Sequence, residues 1–354
     1  MMSSSSRAHR SLSPSSPSLF SPEDYSGIVV ETTPDTLASH PHLTVGTPVF
    51  GLHLTAGTGS SHGSLSTHLT LRPSSPASSA VVPLHTDISH VDAASLPLVW
   101  ITAYTALVKY GLLDTQPGRG NERRTVVIVG ASGGAGSYAV QVAKKLLGVG
   151  TVIGVCSSRN AKFVSEELGA DVVLEYDQEP EGVAAGLRRL MPEGGYDVVF
   201  DCVGGTEVVN QYRQLCKRGG AGGFVTIVGD KSNREYVPPH ISLPRSRSSP
   251  PNLAPFAVLA SSTLGGAYTN LTNPFQLFRT FLGWLGLAPR YHCIDLIPSV
   301  ASLEAILPLL IKPGGLTIPI DSVHAFTEEG VKAGFERLDS GRVKGKVVVK
   351  VKED

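Results

Sequence analysis

Cysteine is scarce in this 354-residue chain: Cys156, Cys202, Cys216 and Cys293 are its only four, and no two of them form a CxxC pair. That spacing argues against a disulfide framework and a four-thiolate zinc site, and it points to a reducing compartment. An excess of either charge is missing too. Thirty basic residues balance thirty acidic ones, so nothing marks out a nucleic acid or another polyanion as a partner. A run of about 18 apolar residues, enough to span a membrane, is also absent. The nearest approach, residues 275–289, is interrupted by Arg279 and ends at Pro289. It reads as a helix buried by its partners, with an amphipathic membrane-surface segment as the alternative.

The first 22 residues carry serine, proline and arginine, and no acidic residue precedes Glu23. This composition is that of a mitochondrial transit peptide, but its prolines oppose an amphipathic helix, so disorder is the expected state. A cytoplasmic location is the expectation, with the mitochondrion as the alternative.

What is present is a change of rhythm. From about residue 25 to 72, short apolar runs are broken by Gly and Pro, as in an irregular antiparallel barrel. Residues 92–110 take helical spacing, with Pro97 dividing two helical pieces. From Thr125 the pattern becomes strand, helix, strand, helix. Its continuous apolar strands imply a doubly wound parallel sheet with helices on both faces. A Pro-, Ser- and Arg-rich stretch, 231–255, reads as a surface insertion. The last helix and strand read as a return to the antiparallel domain.

The chemistry gathers where the first of these strands ends, in "TVVIVGASGGAGSYAVQVAKKL", residues 125–146. Glycines between a strand and a helix permit a tight turn and close backbone approach to a pyrophosphate, while the helix N-terminus supplies free N–H groups. In the G-x-G-x-x-G register, Ala131 stands in place of the first glycine, and Gly133 and Gly136 match. No GK[ST] follows, which excludes a Walker A loop. The second strand ends in Ser157, Ser158, Arg159 and Asn160, with Lys162 beyond, where an NAD-specific fold has a carboxylate. Cations there attract a 2′-phosphate, so NADPH is the expected cofactor.

The segments "LPLVWITAYTAL", "VVIVGASGGAGSYAVQVAKKLLG", "VCSSRNAKFVSEELGAD", "YDVVFDCVGG" and "SGRVKGKVVVKV" resemble the medium-chain dehydrogenase/reductase superfamily, in particular its zinc-independent quinone oxidoreductase and enoyl reductase branch. The resemblance runs from about Tyr25 to the C-terminus, apart from 231–255. It implies a Rossmann cofactor domain over 103–312 and a GroES-like barrel over 23–102, with a return at 313–354 and a disordered segment at 1–22. It also implies that Thr102 approaches the nicotinamide and that Ser132, Gly133, Gly134, Ala135 and Gly136 hold the pyrophosphate. Ser157, Arg159, Asn160 and Lys162 would hold the 2′-phosphate, Tyr176 would lie by the adenosine phosphate, and Val203 and Gly204 would line the nicotinamide ribose. Gly265 and Lys346 are further candidates near the cofactor, and a homodimer is implied.

Family members begin with about fifty further barrel residues before the segment matched by "LFSPEDYSGIVVE", so the expectation is a catalytic domain truncated at its N-terminus. The superfamily's zinc enzymes carry a catalytic Cys, a Gly-His-Glu and a loop of four cysteines, none of which is present. His53, His62, His68 and His85 have no Cys, Glu or Asp placed to complete a tetrahedral set. No Tyr is followed four residues later by Lys, which removes the acid of the short-chain dehydrogenases. Hydride transfer to a quinone or an α,β-unsaturated carbonyl is therefore the expected reaction, with Tyr25 and Tyr104 as the candidate proton donors. A catalytically silent NADPH-binding sensor or scaffold is the alternative, and a zinc alcohol dehydrogenase a more distant one.

Overall fold

The computed structural model describes residues 23–54, 63–73, 79–84, 88–116, 118–229, 274–294 and 296–352. The expected N-terminal disorder, the 231–255 insertion, a strand expected near 257–268, Gly265, His62 and His85 lie outside the described residues. Strands are numbered in chain order, and so are helices of at least eight residues.

Three strands, β1 (Asp24–Ile28), β2 (Pro48–His53) and β3 (Ser79–Pro83), form an antiparallel sheet in that order. Alternation along β2 sends Phe50 and Leu52 into the large core and Val49 into a small cluster with Leu43 and Val81. Opposite faces of one strand thus serve two cores. The chain then enters α1 (Pro97–Tyr104), with Pro97 at its first turn, where no backbone donor is needed.

The second sheet has six strands: β4 (Thr125–Val129), β5 (Thr151–Cys156), β6 (Val172–Glu175), β7 (Val198–Asp201), β8 (Gly223–Thr226) and β9 (Arg290–Cys293). Their order is β6-β5-β4-β7-β8-β9, and every neighbouring pair is parallel. The crossover helices include α2 (Gly134–Gln141), α3 (Val183–Leu190) and α4 (Glu207–Leu215). Strand alternation again divides the burial. Val126, Ile128, Val152, Val198, Phe200 and Val225 pack with Trp100, Ile101, Tyr138 and Ala139 of α1 and α2. Their neighbours Val127, Val129, Ile153, Val155, Val199 and Phe224 pack with Val183, Leu187, Val209 and Tyr212 of α3 and α4. β-branched runs buried on both faces are what a sheet sandwiched between helices requires.

Helix α5 (Pro274–Trp284) departs from the expectation of a buried helix. Phe278, Phe281 and Trp284 are 59%, 52% and 79% exposed. The face turned to β9 is small and polar: Thr280 donates to the Tyr291 carbonyl, and a Cβ on Gly283 would reach within 3.0 Å of the Arg290 backbone. Close backbone contact thus selects small residues on the inner face. No helix among the described residues is long and apolar enough to cross a membrane.

The last helix and strand, expected to return to the antiparallel domain, form a separate two-stranded sheet. Strands β10 (Ile320–Ala325) and β11 (Lys346–Lys350) pair parallel, joined by α6 (Glu328–Asp339). A strand-helix-strand crossover brings the second strand back in the direction of the first, and this explains the parallel pairing. Arg337 of α6 grips Asp321 of β10 through two bonds of 2.6 and 2.7 Å, and the guanidinium holds that carboxyl below the usual range.

Candidate functional site

In the six-stranded sheet the chain runs outward in opposite directions from β4 and β7, which lie side by side. Such a switch point leaves a crevice beyond the C-terminal ends of the two strands. Both strands end there in glycine turns: Gly130 to Gly136 after β4, and Gly204 and Gly205 after β7. The turns touch, since a Cβ on Gly130 would lie 2.7 Å from Cγ2 of Val203.

The glycines of the first turn have separate physical duties. Gly130 adopts φ +82°, which favours glycine, and its amide and that of Ala131 both donate to the Val155 carbonyl. The left-handed residue is therefore Gly130, one position before the register expected from sequence. Ala131 keeps its methyl group because that group is fully buried, facing Gly154. At Gly136 a Cβ would stand 2.1 Å from the Gly130 carbonyl oxygen, so glycine lets α2 rest on the turn. Gly133 is different: its φ is −81°, and its Cβ position meets only the Gly130 oxygen, at an ordinary 3.4 Å. The fold does not need glycine there. No side chain caps α2, so its first N–H groups have no side-chain acceptor.

Residues 130–134 also spell G-x-S-x-G, the pattern of a hydrolase nucleophile elbow. The Ser132 hydroxyl, however, accepts a 3.0 Å bond from the Asn160 amide, and no histidine is recorded on it. That bond ties the glycine turn to the end of β5, where Ser157 is buried and Arg159 and Lys162 are exposed. Asp177, a residue the sequence reading passed over, organises the same corner. Its two oxygens accept from the Ser158 amide and hydroxyl at 2.8 Å each. Burial pushes its carboxyl up, but those bonds and nearby Arg159 outweigh it and hold the group below the usual range. Tyr176, 39% exposed, is the residue before it. An acidic residue two positions after the end of β6 was the available signal.

Beyond β7, buried Asp201 accepts from the amides of Val203 and Gly204 at 2.9 and 3.0 Å, fixing the turn. Burial raises its carboxyl above the ordinary range, and the two amides oppose that rise. From α1, Val99 Cγ1 would lie 3.2 Å from a Cβ on Gly134, and Thr102 is one turn further on the same face. The structure therefore gathers Thr102, the glycine turn, the 157–162 corner, and Val203 with Gly204.

It does not bring Tyr25 or Tyr104 to them. Tyr25 lies over Gly51, and its hydroxyl donates to the Ala80 carbonyl; burial pushes its pKa up, away from proton transfer. The pleat of β1 sets that direction. Tyr104 follows Thr102 by two residues, roughly 200° around the helix, and lines a separate cavity of about 200 Å³ with Ile297, Ser299 and Ser302.

Three charged groups meet beside the glycine turn. Lys346 donates to Asp24 at 2.6 Å, and its stem passes Gly134. Glu23 is pushed up to about 7, first by burial, then by Asp24, with Lys346 opposing. Because its folded pKa lies above its unfolded one, its contribution to stability is complete below about 4.5 and is lost as pH rises through 7. Glu23→Gln is expected to abolish a decline on the order of 3 kcal/mol. Denaturant titrations at pH 5 and pH 8 measure it, and an undiminished pH slope in the variant refutes it.

Among the described residues, no group of three or more His, Cys, Asp or Glu could hold a metal ion. His53 shares a 3.0 Å bond with Ser79, and His68 one of 3.2 Å with Thr67.

Sheet order, crossovers and glycine turn together define a dinucleotide-type fold with an added antiparallel unit, and the chain belongs to the medium-chain dehydrogenase/reductase superfamily. The zinc-binding dehydrogenase family matches residues 134–248. The protein YIM1-2 of Lachancea thermotolerans is 30% identical over 338 residues, covering 93% of this chain and 80% of its own length. The mitochondrial NAD(P)H oxidoreductase RTN4IP1 of Danio rerio is 26% identical over 268 residues, 75% of this chain and 58% of the relative. A quinone oxidoreductase from Coxiella burnetii superposes with a TM-score of 0.56 at 22% identity, over 93% of this chain and 78% of that one. A mycobacterial protein solved with NADPH gives 0.59 at 18%, over 93% and 82%. These last two likenesses establish the fold.

Proposed function

We propose that this chain is an NADPH-dependent oxidoreductase that transfers hydride to a quinone or an α,β-unsaturated carbonyl. One observation carries the reading: Gly133 is a glycine that the fold does not require, at an uncapped helix N-terminus in the switch-point crevice. A cradle that a single Cβ would fill fits a pyrophosphate lying against the backbone amides. Arg159 and Lys162, exposed at the end of β5, supply the charge a 2′-phosphate needs. The names of the relatives, an NAD(P)H oxidoreductase and a quinone oxidoreductase, agree with it.

In this reading the bound coenzyme supplies a hydride from its nicotinamide ring. Ser132, Gly133, Gly134, Ala135 and Gly136 hold the pyrophosphate, and Ser157, Arg159, Asn160 and Lys162 hold the 2′-phosphate. Tyr176 lies by the adenosine, Val203 and Gly204 line the ribose, and Thr102 orients the nicotinamide. Asp201, by holding the amides of Val203 and Gly204, keeps that turn rigid. With the Tyr25 hydroxyl donating to Ala80 and Tyr104 on the other side of α1, the proton for an enone's α-carbon comes from solvent.

Purified protein with NADPH and a panel of quinones and 2-alkenals, followed at the NADPH absorbance, tests the reaction. Oxidation of NADPH with at least one acceptor class is expected. Tight NADPH binding with no turnover on any acceptor would leave a silent nucleotide-binding protein instead.

A further inference from the structure

We infer that the largely buried ion pair between Asp24 and Lys346 is a positioning clasp for the pyrophosphate end of the coenzyme site. This rests on the proposed coenzyme reading and deepens it: Lys346 was a candidate near the cofactor without a stated role, and Asp24 had no part. The two residues stand 322 positions apart and meet at 2.6 Å, with side chains 12% and 19% exposed.

Each side of the pair holds a different wall of the crevice. The other oxygen of Asp24 accepts the Leu98 amide at 2.6 Å, which fixes the first turn of α1, and so the face carrying Val99 and Thr102. On the opposite side, Lys346 follows Gly345, whose amide donates to the Ser132 carbonyl at 3.1 Å and whose backbone bridges to Gly133. Gly345 can approach so closely because it adopts φ +83° and because a Cβ there would strike the Pro319 carbonyl oxygen at 2.1 Å. The stem of Lys346 completes the contact, with its Cδ 3.6 Å from the Cβ position of Gly134. One carboxylate thus sets the relative placement of α1, the glycine turn and β11. Asp24 makes no direct contact with the 157–162 corner, which is reached only through the hydrogen bond from Asn160 to Ser132.

This separation yields a signature that general destabilisation would not produce. Breaking the clasp should loosen the pyrophosphate end and leave the adenosine 2′-phosphate end intact. A largely buried pair broken on one side leaves the other charge poorly compensated, so NADPH binding should fall measurably. Binding of NADPH and of adenosine 2′-monophosphate is measured by calorimetry on the full chain, for wild type, Asp24→Asn, Lys346→Met and the exchanged pair Asp24→Lys with Lys346→Asp. Each single variant is expected to weaken NADPH at least about tenfold while changing 2′-monophosphate binding less than about twofold. The exchanged pair is expected to recover most of the loss, as coupled residues do.

Equal losses for both ligands, or no loss of NADPH affinity, overturns the clasp. Should a variant fail to fold, amide hydrogen exchange on the wild type reads the same contact. NADPH should slow exchange at Gly345 and Leu98, and unchanged rates at both would refute the inference. A wild type that binds neither ligand defeats the coenzyme reading itself, whereas wild-type binding with unshifted variants defeats the clasp alone.

Discussion

Gly136→Ala is expected to lose coenzyme binding and stability together. The added Cβ would stand 2.1 Å from the Gly130 carbonyl oxygen, a backbone atom that no rotamer change can move aside. Either α2 lifts from the turn or the turn itself shifts. Overpacking of this kind costs about 1 to 3 kcal/mol, and a displacement near 1 Å at a positioned site costs on the order of a hundredfold. Gly133→Ala is the informative partner. Its φ of −81° and open Cβ position predict an unchanged melting temperature, and a ligand passing close over the turn predicts weakened NADPH binding. Thermal melts and calorimetry on both variants decide the matter. If Gly133→Ala binds NADPH as wild type does, the cradle has been assigned to the wrong surface.

Replacing Arg159 and Lys162 together with alanine is expected to raise the NADPH dissociation constant by about 10- to 100-fold and to leave NADH unchanged. A charge-assisted bond to a phosphate contributes about 1.5 to 3 kcal/mol. Both side chains are exposed, so salt screens them and the upper figure is a limit. Wild-type NADPH affinity should fall as salt is raised, and the double variant should lose most of that dependence. The negative charge of Asp177 beside Arg159 limits how strongly the corner can attract a phosphate. Equal affinity of the double variant for NADPH and wild-type behaviour toward salt would show that another surface reads the 2′-phosphate.

The alternating strands were legible because burial on two faces needs an unbroken apolar run, which composition alone reveals. Val126 to Val129 announce a strand between two helical layers before any contact is known. The glycine cluster was legible as a turn before a helix, yet its left-handed residue, Gly130, stands one position before the first residue of the G-x-G-x-x-G register. Left-handed geometry falls at Gly130 because that residue and Ala131 must both reach the Val155 carbonyl, and the path to that atom is set by β5. Tyr25 and Tyr104 were chosen by proximity in sequence to the crevice. Their directions depend on the pleat of β1 and on the phase of α1, neither of which composition discloses. Residues 275–289 looked like a buried helix because apolar content says how much surface wants cover, and not which face is turned inward.

By itself the sequence determined the two kinds of sheet, the crossover helices and the turn chemistry at the end of β4, because each depends on neighbours within a few residues. Only the tertiary structure decided the order of the strands, which puts the turns after β4 and β7 against each other. It also decided the meeting of Asp24 with Lys346, 322 residues away, and the grip of Asp177 on Ser158. The first of those contacts depends on how separate sheets meet and the second on which strands of one sheet are neighbours, arrangements that local propensity does not encode.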